Sequence, residues 1–508
     1  MHELSLDAVW SRYQQARKRR RCWEGLWRDC YTYALPQRGA GFGQEFAPGR
    51  NPAERLFDST AVDAVEQLAA SLLAELTPPW SQWFGLVPGR NIGALDYGFF
   101  AEMLDGLSQS IQAHFDRSNF ALEMHQAFLD LVTVGNATLL CEEAPVGSPS
   151  ALRFTAVPMA EMVFDAGPEG QIQDHFRQST LSPAALRARY PRAVLPEPLR
   201  AACETEDERP MRVVEAVLCT GGRFAYLSLL DHDGGRPLLL DSGTFETSPF
   251  ISFRWMKGAA EVYGRSPMMS ALPDIKTVNK VVELILKNAS IAVTGIWQAD
   301  DDGVLNPANI RLVPGSIIPK AVGSAGLTPL QAPGRFDISS LMLDDLRSRI
   351  RRTLLADRLG PLSGPRMTAT EVLERSNEAA RLLGATFGRL QTELLTPLLT
   401  RAFAILRRRG EVADLALDGR MVDLKYKSPL ARVQARQDVE NTLLWLEAAG
   451  KLGPEAMRAI DLTATAKWLG HSLGVPAQLV RDHEPVAALL SELIDGAAEM
   501  AAETGDGN

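Results

Sequence analysis

DIKTVNKVVELILKNASIAV, residues 274–293, decides the reading of this chain. At 100° per residue, Ile275, Val278, Val282, Ile285, Ala289 and Ala292 fall on one stripe, and Lys276, Lys280 and Lys287 fall almost opposite. Pro273 and Asp274 mark its start, and Thr294-Gly295 its end. A second such helix follows at 337–359, DISSLMLDDLRSRIRRTLLADRL, where Arg347, Arg351 and Arg358 align beside the apolar Leu346, Ile350 and Leu354. Between them, residues 296–336 hold Pro307, Pro314, Gly315, Pro319 and Pro333, the composition of a loop-and-strand insert. Two amphipathic helices, each with a basic line, therefore bracket a small insert.

Upstream, residues 3–33 read as a helix with Leu6, Val9, Trp10, Tyr13, Trp23, Leu26, Trp27 and Cys30 on one side. Its middle carries Arg17-Lys18-Arg19-Arg20-Arg21, read as a solvated face, with a nucleic-acid or scaffold contact as the alternative. Asp58-Ser59-Thr60 caps a helix that Thr77-Pro78-Pro79 stops, and two more helices are expected at 95–118 and 121–134. RVVEAVLC (212–219), RFAYLSLL (223–230) and PFISFRW (249–255) read as strands, with a hairpin turn at Asp233-Gly234-Gly235. Beyond the Gly/Pro-rich 360–367, a helix is expected from Thr368 to Arg409, weakened at Gly384, Gly388 and Pro397. A local strand pair is expected over 415–427, turning at Asp418-Gly419, and helix from Ser428 onward.

With 508 residues the chain exceeds one compact core, so several domains or an elongated subunit are expected. A net charge of −9 argues against a general nucleic-acid coat, because such binders carry a basic footprint. The five cysteines are scattered with no CxxC pair, so neither a disulfide framework nor a zinc site is expected. No signal peptide or bilayer-spanning run is read, and no membrane partner is expected. Catalytic motifs are missing: no GxxxxGK[ST], HExxH or GxSxG, and GAGFG (39–43) lacks the strand and helix of a dinucleotide site. Asp300-Asp301-Asp302-Gly303 could hold Mg²⁺ for nuclease chemistry, but an Asp-rich turn is the commoner explanation. No enzyme, no cofactor and no metal are expected.

Several segments resemble the portal (head-to-tail connector) proteins of short-tailed bacteriophages. They are Trp23…Trp27-Arg28-Asp29-Cys30…Ala34-Leu35-Pro36, Asp58-Ser59-Thr60-Ala61, Leu76-Thr77-Pro78-Pro79 and Trp83-Phe84. Next come Tyr263-Gly264-Arg265-Ser266-Pro267 and Ala271-Leu272-Pro273-Asp274-Ile275 with Asn279. Met367-Thr368-Ala369-Thr370-Glu371-Val372 with Arg375, and Ser428-Pro429-Leu430-Ala431-Arg432, complete the series. Each is weak alone; their order and spacing carry the likeness.

The resemblance implies an α+β, mainly helical portal fold assembling as a closed ring of twelve. Residues 1–270 would be the wing, 271–295 and 337–359 the two stem helices, and 296–336 the clip. Residues 360–367 would be the tunnel loop, with Gly360, Pro361, Ser363, Gly364 and Arg366; 368–427 would return to the wing, and 428–508 would form the crown. It further implies a virion protein at one capsid vertex, assembled in the bacterial cytoplasm, through which double-stranded DNA is packaged and ejected. Terminase large subunit, then tail adaptor proteins, would dock on the clip, where Asp300, Asp301, Asp302, Arg311 and Lys320 are candidate contacts. Major capsid and scaffolding proteins are the remaining implied partners. Lys276, Lys280, Lys287, Arg347, Arg351 and Arg358 are DNA-channel candidates, weighed against lysines that face outward or pair with neighbouring carboxylates. A phage structural protein of another kind, such as a head–tail adaptor or internal core protein, is the competing reading, and a metal-dependent nucleic-acid enzyme the more distant one.

Overall fold

Helix α1, Leu6–Ala34, begins where Ser5 Oγ accepts the Ala8 amide at 3.2 Å. Its buried side, Val9, Tyr13, Ala16, Arg20, Trp27, Tyr31 and Ala34, follows the three-to-four spacing of one helix face. The computed structural model describes residues 5–39, 42, 55–79, 81–89, 97–204, 209–231, 237–294, 297–298, 328–329, 336–356, 384, 386–412, 422–427, 429–453, 458, 460–473 and 475. A short 3₁₀ turn, Pro36–Arg38, follows α1. Helix α2, Thr60–Leu76, starts where Asp58 Oδ1 accepts the Thr60 amide at 3.0 Å. Strand β1 (Phe84–Pro88), helix α3 (Tyr97–Arg117) and helix α4 (Phe120–Val134) come next.

α4 is apolar nearly all round and lies at the centre of the main core, against α2, helix α7 (Pro267–Thr294) and the three-stranded sheet. That sheet has the order β3-β2-β9, from Leu152–Val157, Asn136–Glu143 and Phe250–Arg254. Gly135 ends α4 at φ +74°, and a Cβ there would sit 2.6 Å from the Arg265 carbonyl carbon. Only glycine fits both the left-handed conformation and that approach. The ribbon β10–β11 (Met256–Lys257 with Gly264–Arg265) is thereby held against the end of α4.

A five-stranded antiparallel meander forms the second sheet: β4 (Met162–Ala166), β5 (Ile172–Leu181), β6 (Met211–Thr220), β7 (Arg223–Leu230) and β8 (Leu238–Phe245). Val9, Tyr13 and Ala16 of α1 cover one region of it, packing on Val163, Phe176, Val214 and Leu229. The short helices α5 (Pro183–Arg189) and α6 (Glu197–Glu204) make a separate small core around Leu186, Val213 and Leu230. β7 and β8 pair antiparallel as expected, while the Asp233–Gly235 turn lies outside the described residues.

Helix α7 runs from Pro267 to Thr294, seven residues earlier in its start than Pro273-Asp274 suggests, and encloses Pro273. The true start signal is Ser266-Pro267: Ser266 Oγ accepts the Met269 amide at 3.0 Å, and proline suits the first helical position. Proline at 273 forfeits one intrahelical bond, and burial of Met268, Ala271, Leu272 and Ile275 around it keeps the helix going. The ribbon β12–β13 (Trp297–Gln298 with Thr328–Pro329) closes the base of the insert, whose remaining residues lie outside those described. Helix α8, Phe336–Thr353, packs on α7 and α2 through Leu343, Leu346 and Ile350. It ends earlier than the 359 expected, because the chain turns at Leu355, which takes φ +58°.

Residues 368–383 of the next expected helix are outside the described set. From 386 the chain is helical, with a π-turn at Gln391–Leu395 leading into the Thr396–Arg408 helix. The anticipated weak point near Pro397 is therefore this π-turn. Strand β14, Val422–Tyr426, falls in the expected strand region, but its partner among the described residues is the distant β1. Helices Pro429–Leu452 and Leu462–Leu473 follow. Among the described residues helix outweighs strand, as an α+β, mainly helical chain requires.

Candidate functional site

All three lysines of the α7 stripe are exposed, and all three meet carboxylates. Lys276 Nζ is 2.6 Å from Asp29 of α1 and 6.0 Å from the Tyr33 ring centroid. Lys280 and Lys287 share Glu283, at 3.0 and 2.6 Å, one turn away on either side. Hydrogen bonds from Lys287 and then Lys280 hold the Glu283 carboxyl below its usual range. The stripe thus carries less net charge than its three lysines suggest.

The arginine line of α8 divides. Arg347 donates through Nε and Nη2 to Asp58 Oδ2, at 2.9 and 2.7 Å, fastening α8 to the start of α2. Burial works against the Asp58 carboxylate, but hydrogen bonds from Thr60 and Arg347 outweigh it and lower its pKa. Arg347 is therefore a structural tie more than a free cation. Arg349, not singled out in the sequence, reaches Asp274 of α7 at 3.2 Å. Arg351 is exposed. Arg358, the 360–367 residues Gly360, Pro361, Ser363, Gly364 and Arg366, and the insert residues Asp300, Asp301, Asp302, Arg311 and Lys320 lie outside the described residues.

Asn279 anchors α7 on its other side: Oδ1 accepts the Phe57 amide at 2.7 Å and Nδ2 donates to Arg55 O at 3.0 Å. The helix pair is thereby pinned to the segment before α2, while Leu284 and Leu286 of α7 and Leu341 and Met342 of α8 stay exposed. Further exposed apolar residues, Leu443, Leu444, Trp445 and Trp468, occur on helices Pro429–Leu452 and Leu462–Leu473.

Below the helix pair, Trp27 is fully buried against Tyr263 (5.0 Å between centroids) and Phe42, with Trp23 stacked beside it and Arg265 over Trp23 at 5.2 Å. The motif residues Trp23, Trp27 and Tyr263 are thus one packed cluster. The basic run of α1 is partly absorbed by the fold: Arg20 is buried and donates to Ala160 O at 2.8 Å, and Arg19 pairs with Asp165 at 2.9 Å.

A tie with no sequence signature joins β9 to the π-turn. Arg254 donates to Glu393 from its amide (3.0 Å), Nε (3.1 Å) and Nη2 (2.7 Å), and its remaining N–H groups reach the carbonyls of Gly170 and Val262. A second buried group, Asp130 of α4, binds the Tyr31 hydroxyl at 2.9 Å and Arg38 at 3.0 Å. Among the described residues no group of His, Cys, Asp and Glu could hold a metal ion, and no helix is long and apolar enough to cross a membrane.

The family model of the bacteriophage head to tail connecting protein matches residues 6–480. The chain is 24% identical to the probable portal protein of Bordetella phage BPP-1, over 97% of this chain and 92% of that one. It is 22% identical to the portal protein of Salmonella phage epsilon15, again over 97% and 92%. Among solved structures, the neck of an empty gene transfer agent (GTA) particle, computed with C6 symmetry, aligns over 84% of this chain and 95% of that one, at 13% identity and a TM-score of 0.37.

Proposed function

The chain belongs to the family of bacteriophage head to tail connecting proteins and acts as a phage portal, a structural part rather than an enzyme; from that premise we propose that it forms a closed ring of twelve at one capsid vertex, through which double-stranded DNA enters and leaves. The family match across 6–480 carries the reading, and the order helix, insert, helix supports its layout. In that layout α7 and α8 are the stem and 296–336 is the clip that receives terminase and later tail adaptors. Residues 360–367 are the tunnel loop, 428–508 the crown and the remainder the wing. Capsid and scaffolding proteins meet the ring in the host cytoplasm, and it stays in the virion.

Ring closure needs one face of a subunit to meet a different face of the next. The exposed Leu284, Leu286, Leu341 and Met342 supply apolar area for that contact on the stem. Lys276, Lys280, Lys287, Arg351 and Arg358 line the channel as thin basic rings, each a weak and sequence-blind contact with passing phosphates. Negative-stain electron microscopy of the purified chain, with light scattering for mass, tests the reading. Closed rings with a central hole at about twelve times 55.5 kDa are expected; a stable monomer at every salt and protein concentration would overturn it.

A further inference from the structure

An open cavity of about 480 Å³ lies between the β8–β9 connection and the Thr396–Arg408 helix. Arg401, Arg407 and Arg408 line it, with Glu246 and Thr247 opposite. Arg401 and Arg408 are seven residues apart, two turns of the helix, and so share one face.

Arg401 is the unusual member. It is only 4% exposed, lies 5.1 Å over the Phe245 ring, and donates Nε to Cys141 O (3.2 Å) and Nη1 to Thr247 O (3.0 Å) and Oγ1 (3.2 Å). Among the described residues no carboxylate lies within ion-pair reach of it, and its Nη2 amino group has no partner. Buried charges are ordinarily paired, because desolvation is costly. Burial, with a contribution from the nearby positive Arg408, lowers the Arg401 pKa. Arg407 pairs with the exposed Glu246 at 2.5 Å, and Arg408 with Glu143 at the edge.

We propose that this cavity binds a dianionic phosphate, free or as a monoester, with Arg401 at its floor and Arg408, Arg407 and the Thr247 hydroxyl around it. Arg401 has only neutral acceptors, and the three guanidinium groups together offer more N–H donors than Glu246 and Glu143 accept, whereas phosphate presents three terminal oxygens that suit their forked geometry. Glu246 is the competing internal anion, and it swings outward, being exposed, when the ligand enters. A DNA backbone phosphate shares this chemistry but has one charge and two free oxygens, which fill the site less well.

The test uses the full chain, with inorganic phosphate titrated by calorimetry and by thermal shift against sodium chloride of equal ionic strength. Arg401 is buried, so Arg401→Met risks folding, and the informative variants are Arg408→Gln and Glu246→Gln at exposed positions. Phosphate should bind the native chain specifically, Arg408→Gln should weaken it on the order of tenfold, and Glu246→Gln should tighten it. Stabilisation no greater than that by chloride, or an equal response in Arg408→Gln, would overturn the site. Displacement of phosphate by a blunt duplex without terminal phosphates would overturn the monoester assignment and make the site a backbone contact.

Discussion

Glu393→Gln is the substitution most sharply defined by the structure. The glutamate side chain is 16% exposed and its partner Arg254 only 1%, and three Arg254 donors converge on its two oxygens. Glutamine keeps the volume but turns an NH₂ toward guanidinium N–H groups and removes the counter-charge. Breaking one side of a buried ion pair costs roughly 3–5 kcal/mol; with Glu393 partly solvated, about 3 kcal/mol is expected. Unfolding entropy of about 2.1 cal/mol/K per residue over 508 residues gives about 1 kcal/mol/K, so the midpoint should fall by about 3 °C. Scanning calorimetry at fixed protein concentration and scan rate reads this, since assembly and irreversibility both move the midpoint. Arg254→Met combined with Glu393→Gln should recover part of the loss, because the uncompensated charge is then gone and the glutamine oxygen still accepts the residue 254 amide. A single variant within 1 °C of the native protein, or a double variant less stable than the single, would refute the reasoning.

Replacing Lys276, Lys280 and Lys287 together by alanine should leave rings intact by electron microscopy and lower DNA packaging. Native packaging efficiency in that variant would remove the channel role. Alanine at both Trp23 and Trp27 empties the cluster around Tyr263, at about 3–5 kcal/mol for Trp27 alone, and should give insoluble or unassembled protein by sedimentation; normal assembly would show that the cluster is dispensable. Burial pushes the Asp130 carboxyl up to about 6, against the pull of Arg38 and Tyr31. Its folded pKa is raised, so the stability it contributes is fully present below about pH 4 and is lost as pH rises through about 6. That amounts to about 3 kcal/mol, at 1.36 kcal/mol per unit. Urea midpoints between pH 4 and 6.5 should therefore fall less steeply in Asp130→Asn than in the native protein.

What periodicity and capping can signal was legible in the sequence, and what folding brings together from afar was not. The buried faces of α1 and α2 were readable because each helix carries its own apolar stripe and start residues. The start of α7 is hidden in the sequence because proline breaks most helices, and nothing local announces that packing will hold the helix across Pro273. The pattern over 415–427 suggests a local strand pair, yet β14 finds β1 across more than 330 residues, a pairing no short pattern encodes. The lysine stripe was visible as charge, but only Lys280 and Lys287 have acids at helical spacing; Asp29, the partner of Lys276, comes from another helix. Arg254–Glu393 and the unpaired Arg401 had no signature at all, because a buried cation looks like any other arginine until its surroundings are known.

The distribution of charge bears on how an acidic chain could guide a polyanion without retaining it. Under the proposed reading, every lysine facing the DNA would already have a carboxylate neighbour, so a phosphate gains contact only by displacing Asp29 or Glu283. The ion pairs are exposed and individually worth little, so the displacement is easy. The gain is correspondingly small, because the lysine releases fewer condensed counter-ions than an unpaired one would. Around a ring, many such shallow contacts would form and break in turn as the duplex advances, while the net charge of −9 per chain keeps the average wall repulsive. Free lysines would turn the same surface into a set of strong sites and stall movement. Under that reading, carboxylates paired with the lysine stripe are an expected property of a conduit, and basic lines need no basic composition overall.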